Sequence, residues 1–525
     1  MRKCDLNYYV FLLSELNHKQ KLTTSAIWNA APLFVTASIG IWLLSFAVPR
    51  LGLTHYGIYV TMIAAVSPLT MLLCGVPAAL IQSVARSIGK NDLPLSIGYA
   101  QAGSMLIAIG ALLSMFVAAL LLPFGSRLLL GTTDPITIAF PLLNCTFAVA
   151  ASTFIQHLST VPSSILSAMQ RFRALSFCAM TQTVATTILQ VLAIQFGFGI
   201  SGFAWSIVIG STITLVIKLI VVGVPSGFAW FVPRIQLDVF RELLVFGRWQ
   251  SVAQLGGLAA AQAERVCITA MLGPAATTSF DLCVKAQTPL YTVVWQAMQS
   301  LFPFFSSKSG EGVRQNVYRT IRATWISTVA TAMVLIPLGG LSTQIMTLWM
   351  GADIAMTAAP IMTVLAFAGV VGSATNAPCQ LLLAIGETRT LAIVAILTGV
   401  TNVCSAIIVF PTLGIRGAGL PALIAMIVQW VYVNRVISRA GAISFRETSR
   451  SSMGVLAAAA MMIGVLKTIE AMLPSSSIVW LTALPGFFIM LGLSYWYFQT
   501  TQIGRQGIID LRDILGVLRS KLQAA

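Results

Sequence analysis

Hydrophobic residues occur along this chain in long uninterrupted blocks. From residue 26 almost to residue 498 the blocks recur, each near the roughly 20 apolar residues that an α-helix needs to cross a hydrocarbon core. Fourteen spans are expected, from 26–48 and 58–82, through 136–165, 203–224, 247–271, 279–304 and 354–384, to 452–473 and 478–498. None shows the strict alternation of a membrane-spanning strand. The expected fold class is therefore all-α, a polytopic membrane protein of about 14 transmembrane helices.

The polar punctuation between blocks repeats. Arg50-Leu51-Gly52 and the residues after it match Met271-Leu272-Gly273 at an offset of 221. Residues 166–173 match 382–389 at an offset of 216, and residues 196–204 match 411–419 at 215. Each pair falls at the same place in a set of six spans. Two pseudo-twofold six-helix lobes are expected, spans 1–6 and 7–12, with spans 13–14 added. An even number of spans per lobe keeps both copies in one orientation, as in transporters built from parallel repeats. The expected organisation is an N-terminal tail (1–25), an N-lobe (26–224), an inter-lobe linker (225–246), a C-lobe (247–437), spans 13–14 (452–498) and a basic amphipathic tail (499–525).

Composition narrows the class. The chain of 525 residues is 57% hydrophobic and 9% charged, against about 25% charged in soluble proteins. That excludes a soluble enzyme, a disordered protein and a nucleic-acid binder. The net charge of +16 then reads as a topology signal. With the N-terminus inside, 25 of the 31 Lys and Arg residues, Lys218 among them, fall to the cytoplasmic side, and four (Arg50, Arg127, Arg416 and Lys467) fall outside. Positive loops stay cytoplasmic, so both termini are expected there. The last stretch sets Arg505, Arg512, Arg519 and Lys521 beside Ile508, Leu511 and Leu515, a pattern suited to an anionic lipid surface. No nucleic-acid partner is expected.

Little else carries chemistry. The apolar stretch at residues 8–13 is short and lacks a cleavage-site pattern, so no signal peptide is expected. Eight scattered cysteines and three scattered histidines form no metal-ligand spacing, so neither metal nor cofactor is expected. There is no GxxxxGK[ST] loop, HExxH or nucleophile elbow. The chain reads as a non-enzyme.

Several short motifs carry a resemblance: Trp28-Asn29; Arg50-Leu51-Gly52 with Tyr56-Gly57-Ile58-Tyr59; Gly89-Lys90-Asn91-Asp92; Phe246-Gly247; Glu264-Arg265; Leu272-Gly273; and Leu301-Phe302-Pro303. In this order and spacing they resemble the polysaccharide transporter (O-antigen flippase) family of the multidrug/oligosaccharidyl-lipid/polysaccharide exporter superfamily. The sequence departs from that pattern at Phe280. The resemblance implies a flippase that moves undecaprenyl-pyrophosphate-linked oligosaccharide repeat units from the inner to the outer leaflet of the bacterial cytoplasmic membrane. It implies alternating access between two lobes, in O-antigen, capsule or exopolysaccharide synthesis. Its implied partners are the lipid-linked substrate and the glycan polymerase and chain-length proteins of the same pathway.

Charges inside spans are expensive and are functional candidates by default. Three stand out: Glu264 and Arg265 in span 7 and Lys285 in span 8. All lie about 15 Å from the turn near residue 275 at 1.5 Å per residue, and so share a depth. Given the resemblance, Arg265 and Lys285 are the candidate pyrophosphate-binding cations, and Glu264 is a pairing or proton-coupling candidate. A structural alternative stays open, in which Glu264 pairs with Lys285 and Arg265 snorkels outward. Arg50 and His157 are weaker candidates, with headgroup contact and helix packing as their structural readings.

The alternative function is a cation-coupled multidrug exporter of the same superfamily. That class relies on acidic groups in the first lobe, and spans 1–6 carry no Asp or Glu. A membrane glycan polymerase is the third reading. It would need large outer loops or clustered carboxylates, and neither is present.

Overall fold

A computed structural model describes residues 18–67, 75–89, 92–130, 139–226, 230, 256–258, 261–299, 301–302, 305, 313–472 and 492. Among these residues the regular structure is helical, with no strand. The chain divides into two compact units, Met1–Thr278 and Ser279–Ala525.

The first unit contains α1 (His18–Leu51), α2 (Leu53–Val66), α3 (Gly75–Gly89), α4 (Leu93–Leu130), α5 (Ala139–Ala168), α6 (Phe172–Gln195), α7 (Gly199–Ser226) and α8 (261–272). Helix α5 packs against α4 and α7, and α6 lies against α1 and α7. Leu80, Val84, Leu106, Ile107, Ile165 and Leu166 form a core between α3, α4 and α5. Lipid tails are as apolar as these side chains, so close van der Waals packing and interhelical hydrogen bonds hold the helices together. Both are present: Thr36 on α1 bonds Thr183 on α6 at 3.1 Å, and Gln182 donates to Ser211 on α7 at 3.3 Å.

Helix α9 (Pro274–Gln299) begins in the first unit and continues into the second. There it is followed by α10 (Val313–Gly340), α11 (Ser342–Met350), α12 (Ala352–Ser373), α13 (Asn376–Ala384), α14 (Thr388–Leu413), α15 (Leu420–Gly441) and α16 (Phe445–Met472). Leu335 and Ile336 of α10, Val370 of α12 and Ala459 and Leu466 of α16 share one core. The expected span 354–384 is interrupted at Ala374-Thr375, between α12 and α13. Pro378 accounts for the interruption: it has no N–H for the carbonyl four residues back, that of Ala374, and its ring crowds it.

The internal repeat extends to the backbone. Gly52 and Gly273 both adopt positive φ, 82° and 91°. Their N–H groups donate to the equivalent carbonyls of Val48 and Thr269. Gln170 and Gly386 form the second pair, at φ 56° and 82°, and Gly199 and Gly414 the third, at 56° and 57°. Around the second pair the hydrogen bonds also correspond: Arg171 donates to Leu166 as Glu387 does to Leu382. Left-handed backbone is nearly strain-free only for glycine, which is why glycine recurs at these positions. Gln170 is the exception.

Among the described residues, nine helices are long and apolar enough to cross a membrane. Helices α5 and α9 are as long but more polar, carrying Gln156, His157 and Ser159, and Thr277, Thr278, Asp281 and Lys285. His157, Ser159, Thr277, Thr278 and Asp281 are buried, whereas Gln156 and Lys285 are exposed. Expected spans 2 and 7 lie partly outside the described residues. All of span 14 but residue 492, the N-terminal tail to residue 17, most of the linker and the basic tail lie outside them.

Candidate functional site

Helix α8 brings Glu264 and Arg265 into the first unit. Neighbouring helical positions point about 100° apart, and the two side chains diverge accordingly. Glu264 is buried, 2% exposed, while Arg265 is only partly covered. The Arg265 guanidinium donates to Gln262 Oε1 at 2.8 Å and to the Ala261 carbonyl at 3.3 Å, along its own helix.

One turn beyond, α8 meets α2 through hydroxyls. Thr269 Oγ1 lies 2.6 Å from both Thr61 Oγ1 and Thr277 Oγ1. The two copies of the repeated motif also touch each other reciprocally. Thr278 donates to the Leu53 carbonyl at 2.6 Å. In the equivalent contact Gly57 packs so closely on the Pro274 carbonyl that a methyl group there would collide with it. Residues 57 and 278, and likewise 53 and 274, are mates at the offset of 221. Self-complementary contacts of this kind are what a twofold relation produces.

In the second unit Lys285 is paired with Asp281 one turn back on α9, Nζ to Oδ2 at 3.6 Å. The pair is lopsided: 45% of the Lys285 side chain is exposed and 3% of Asp281. Asp281 escapes the reading of intramembrane charges because it sits at the edge of the expected span 279–304. The signal that could have found it is an acid four residues before a base on a helix. Nearby, Cys283 Sγ lies 3.1 Å from the Ala358 carbonyl, holding α9 against α12.

The weaker candidates take structural places. Arg50 ends α1, donates to the Phe46 carbonyl at 2.9 Å and lies 3.8 Å over the Phe46 ring. His157 is buried on α5, its carbonyl accepting the Thr160 hydroxyl at 2.6 Å.

Two cations of the charge count lie within helices and bond side chains of neighbouring helices. Lys218, grouped there with the cytoplasmic loops, lies inside α7 with 8% exposure, and Nζ donates to Ser159 Oγ on α5 at 2.9 Å. Lys467, grouped with the outer loops, lies on α16. It bonds Glu470 Oε2 at 2.6 Å and Ser342 Oγ at 2.8 Å, fastening α16 to the start of α11. For Lys218 the polar partner on another helix makes the buried position tolerable, and Lys467 is partly exposed.

The interruption between α12 and α13 is sewn up by neutral groups. Tyr291 donates to Asn376 Oδ1 at 2.9 Å, Asn376 Nδ2 to Ser327 at 3.4 Å, and Gln429 Nε2 to Thr375 at 2.9 Å. This makes Asn376 interhelical glue. Among the described residues no group of three or more His, Cys, Asp or Glu side chains is placed to hold a metal ion. The described cysteines Cys145, Cys178, Cys267, Cys283, Cys379 and Cys404 are all free thiols.

A bundle of long apolar helices, with a two-copy backbone motif and a few charges inside its spans, defines a multi-pass membrane transporter fold. Solved structures agree. The fold matches the lipid II flippase MurJ in an inward closed conformation with a TM-score of 0.68 and 14% identity, covering 91% of this chain and 99% of that one. It matches the inward-facing conformation of a multidrug resistance MATE family transporter of the MOP superfamily with a TM-score of 0.63 and 17% identity, over 79% and 96%. Residues 22–309 match the family described as polysaccharide biosynthesis protein, and the chain belongs to that family. It is also 24% identical over 470 residues, 86% of this chain and 90% of the relative, to the uncharacterized membrane protein EpsK of Bacillus subtilis (strain 168).

Proposed function

We propose that this transporter is a flippase for undecaprenyl-pyrophosphate-linked oligosaccharide repeat units, moving them from the inner to the outer leaflet of the bacterial cytoplasmic membrane by alternating access. Both termini lie in the cytoplasm in this reading, and the product feeds the polymerase and chain-length proteins of polysaccharide synthesis. The observation that carries the reading is Lys285, a half-exposed cation on a helix whose first turns bury Thr277, Thr278, Ser279 and Asp281. An anionic diphosphate in an apolar surround needs such a partner. Arg265 in the first unit is the second proposed cation, its guanidinium fork suited to phosphate oxygens. Glu264, buried beside it in sequence, is a pairing or proton-coupling group. Helices α1–α7 contain no Asp or Glu, which disfavours the cation-coupled drug exporter.

Deleting the gene and analysing membrane lipids tests the function. The expected result is loss of surface polysaccharide, with lipid-linked repeat units accumulating on the inner leaflet. Normal surface polysaccharide in the deletion strain overturns it. For the cations, Lys285→Ala and Arg265→Ala are each expected to slow export about tenfold or more, a barrier change of about 1.4 kcal/mol, at unchanged membrane abundance. Normal export in both variants removes them from the site.

A further inference from the structure

Helix α14 shows what a lipid-facing surface of this protein is made of. Between residues 391 and 410 its exposed side chains are Ile393, Ile396, Val400, Cys404, Ile407 and Ile408, all apolar. Helix α9 differs. Between residues 285 and 299 it exposes Lys285, Thr288, Gln296 and Gln299, with Thr292 partly exposed among them. At about 100° per residue these five fall within about 60° of Lys285. The other exposed residues there, Leu290, Val293 and Ala297, lie about 80–140° round the helix. A polar strip and an apolar strip thus run side by side. The apolar strip suits lipid. Thr288 and Thr292 alone would suit it too, since they donate to the Val284 and Thr288 carbonyls of their own helix at 2.7 Å each. An ammonium and a glutamine amide turned toward hydrocarbon are costly. The strip is not the packing face either. Gln287, on another side of α9, is the glutamine that packs, so close to Gly369 of α12 that a methyl group there would collide with its Nε2.

We infer that this strip is an oligosaccharide subsite, along which α9 holds the sugars of a substrate whose diphosphate sits at Lys285. From residue 286 to residue 299 the helix has no charged side chain, so what it offers is neutral hydrogen bonding. The two threonine hydroxyls give their protons to the backbone and present lone pairs, while Gln296 and Gln299 present donors and an acceptor each. Sugar hydroxyls, donors and acceptors at once, complement that set. From Lys285 to Gln299 the strip extends about 21 Å at 1.5 Å per residue, a length of several sugars. With both termini in the cytoplasm it leads from Lys285 toward the cytoplasmic end of α9, the side on which the glycan arrives. The inference rests on the proposed role of Lys285 and assigns the neighbouring part of the same substrate.

The test compares two ligands binding to the full chain in phosphatidylcholine nanodiscs: lipid-linked repeat units extracted from the deletion strain, and bare undecaprenyl pyrophosphate. The wild type is expected to bind the glycosylated ligand about tenfold more tightly. Gln296→Leu with Gln299→Leu is expected to cut that preference about fivefold, and Thr288→Val with Thr292→Val about twofold. Leu290→Ala and Val293→Ala, on the apolar strip, keep it. An unchanged preference in the glutamine double variant, with melting like the wild type, overturns the subsite. So does an equal loss in the apolar-strip variants, and so does a wild type that does not discriminate, which requires no variant to fold. Lys285→Met is expected to weaken both ligands alike. If it binds bare undecaprenyl pyrophosphate as the wild type does, the Lys285 reading fails and the inference with it. If that binding weakens but the sugar preference ignores the glutamine double variant, the inference alone fails.

Discussion

Helices α2 and α9 begin alike and carry opposite contents. Each follows a left-handed glycine, Gly52 or Gly273, and each is tied back to the preceding helix by the same hydrogen bond. At the offset of 221, Val60 is the mate of Asp281 and Ala64 the mate of Lys285. Val60 and Ala64 are buried and apolar. Around them Tyr56 and Tyr59 close on Phe203, the Tyr59 ring edge-on at 5.0 Å. One copy of the motif packs; the other holds an ion pair. The lesson is that the repeat builds the scaffold, while chemistry sits where the copies diverge.

The sharpest way to break this comparison is to put charge into the packed copy. Ala64 is 1% exposed, with no room for a long side chain and no acid at position 60. Ala64→Lys is expected to destabilise the protein by about 3 kcal/mol or more, through an unpaired charge in a span and an overfilled site. Thermal melting of the detergent-solubilised chain measures it. A melting temperature like the wild type would show that α2 is not the packed partner it is taken to be.

The converse exchange gives α9 the contents of α2. Asp281→Val with Lys285→Ala removes both charges at once, so no buried carboxylate is stranded. Asp281 is the buried member of the pair, and replacing a buried charge together with its partner by apolar groups is often neutral or stabilising. Melting is therefore expected to hold, while export falls about tenfold or more, at least 1.4 kcal/mol in the barrier. Retained export in this double variant would reduce the pair to packing.

The contrast also explains what could be read from residues alone. The spans were legible because about 20 apolar residues have one efficient use in a membrane. The repeat was legible because glycine suits its backbone geometry, positive φ at all three pairs, with Gln170 the one position that does without it. Lys285 and Arg265 stood out as charges deep in apolar runs. Asp281 did not, because it lies two residues inside a nominal span end, where a charge ordinarily snorkels to water; Lys218, as far inside its span as Lys285 and Arg265 are inside theirs, was absorbed by the cytoplasmic charge count. What buries Lys218 is Ser159, 59 residues away in sequence, and that partnership is tertiary. A proline alone does not break a helix here, since Pro162, Pro289 and Pro360 sit inside continuous helices. The difference at Pro378 lies with Tyr291, Asn376, Ser327 and Gln429, whose hydrogen bonds hold the interruption open.

The smallest effect tests whether divergence between copies always marks function. At the offset of 215 the mate of Lys218 is Val433, buried in the core of the second unit beside Ile437 and Val394. Here the charged copy is the first, yet Lys218 is 8% exposed and donates to a neighbouring hydroxyl. That describes interhelical glue between α5 and α7, in contrast to the half-exposed Lys285. Ser159→Ala strips the buried amine of its partner and is expected to cost about 1 kcal/mol in melting experiments. Lys218→Met keeps the volume of the stem and removes the polar group together with its need, so it is expected to be within about 0.5 kcal/mol of the wild type, with export retained. If Lys218→Met melts normally but loses export, the first unit carries a charge that transport uses, and α5 and α7 join α9 as bearers of the site.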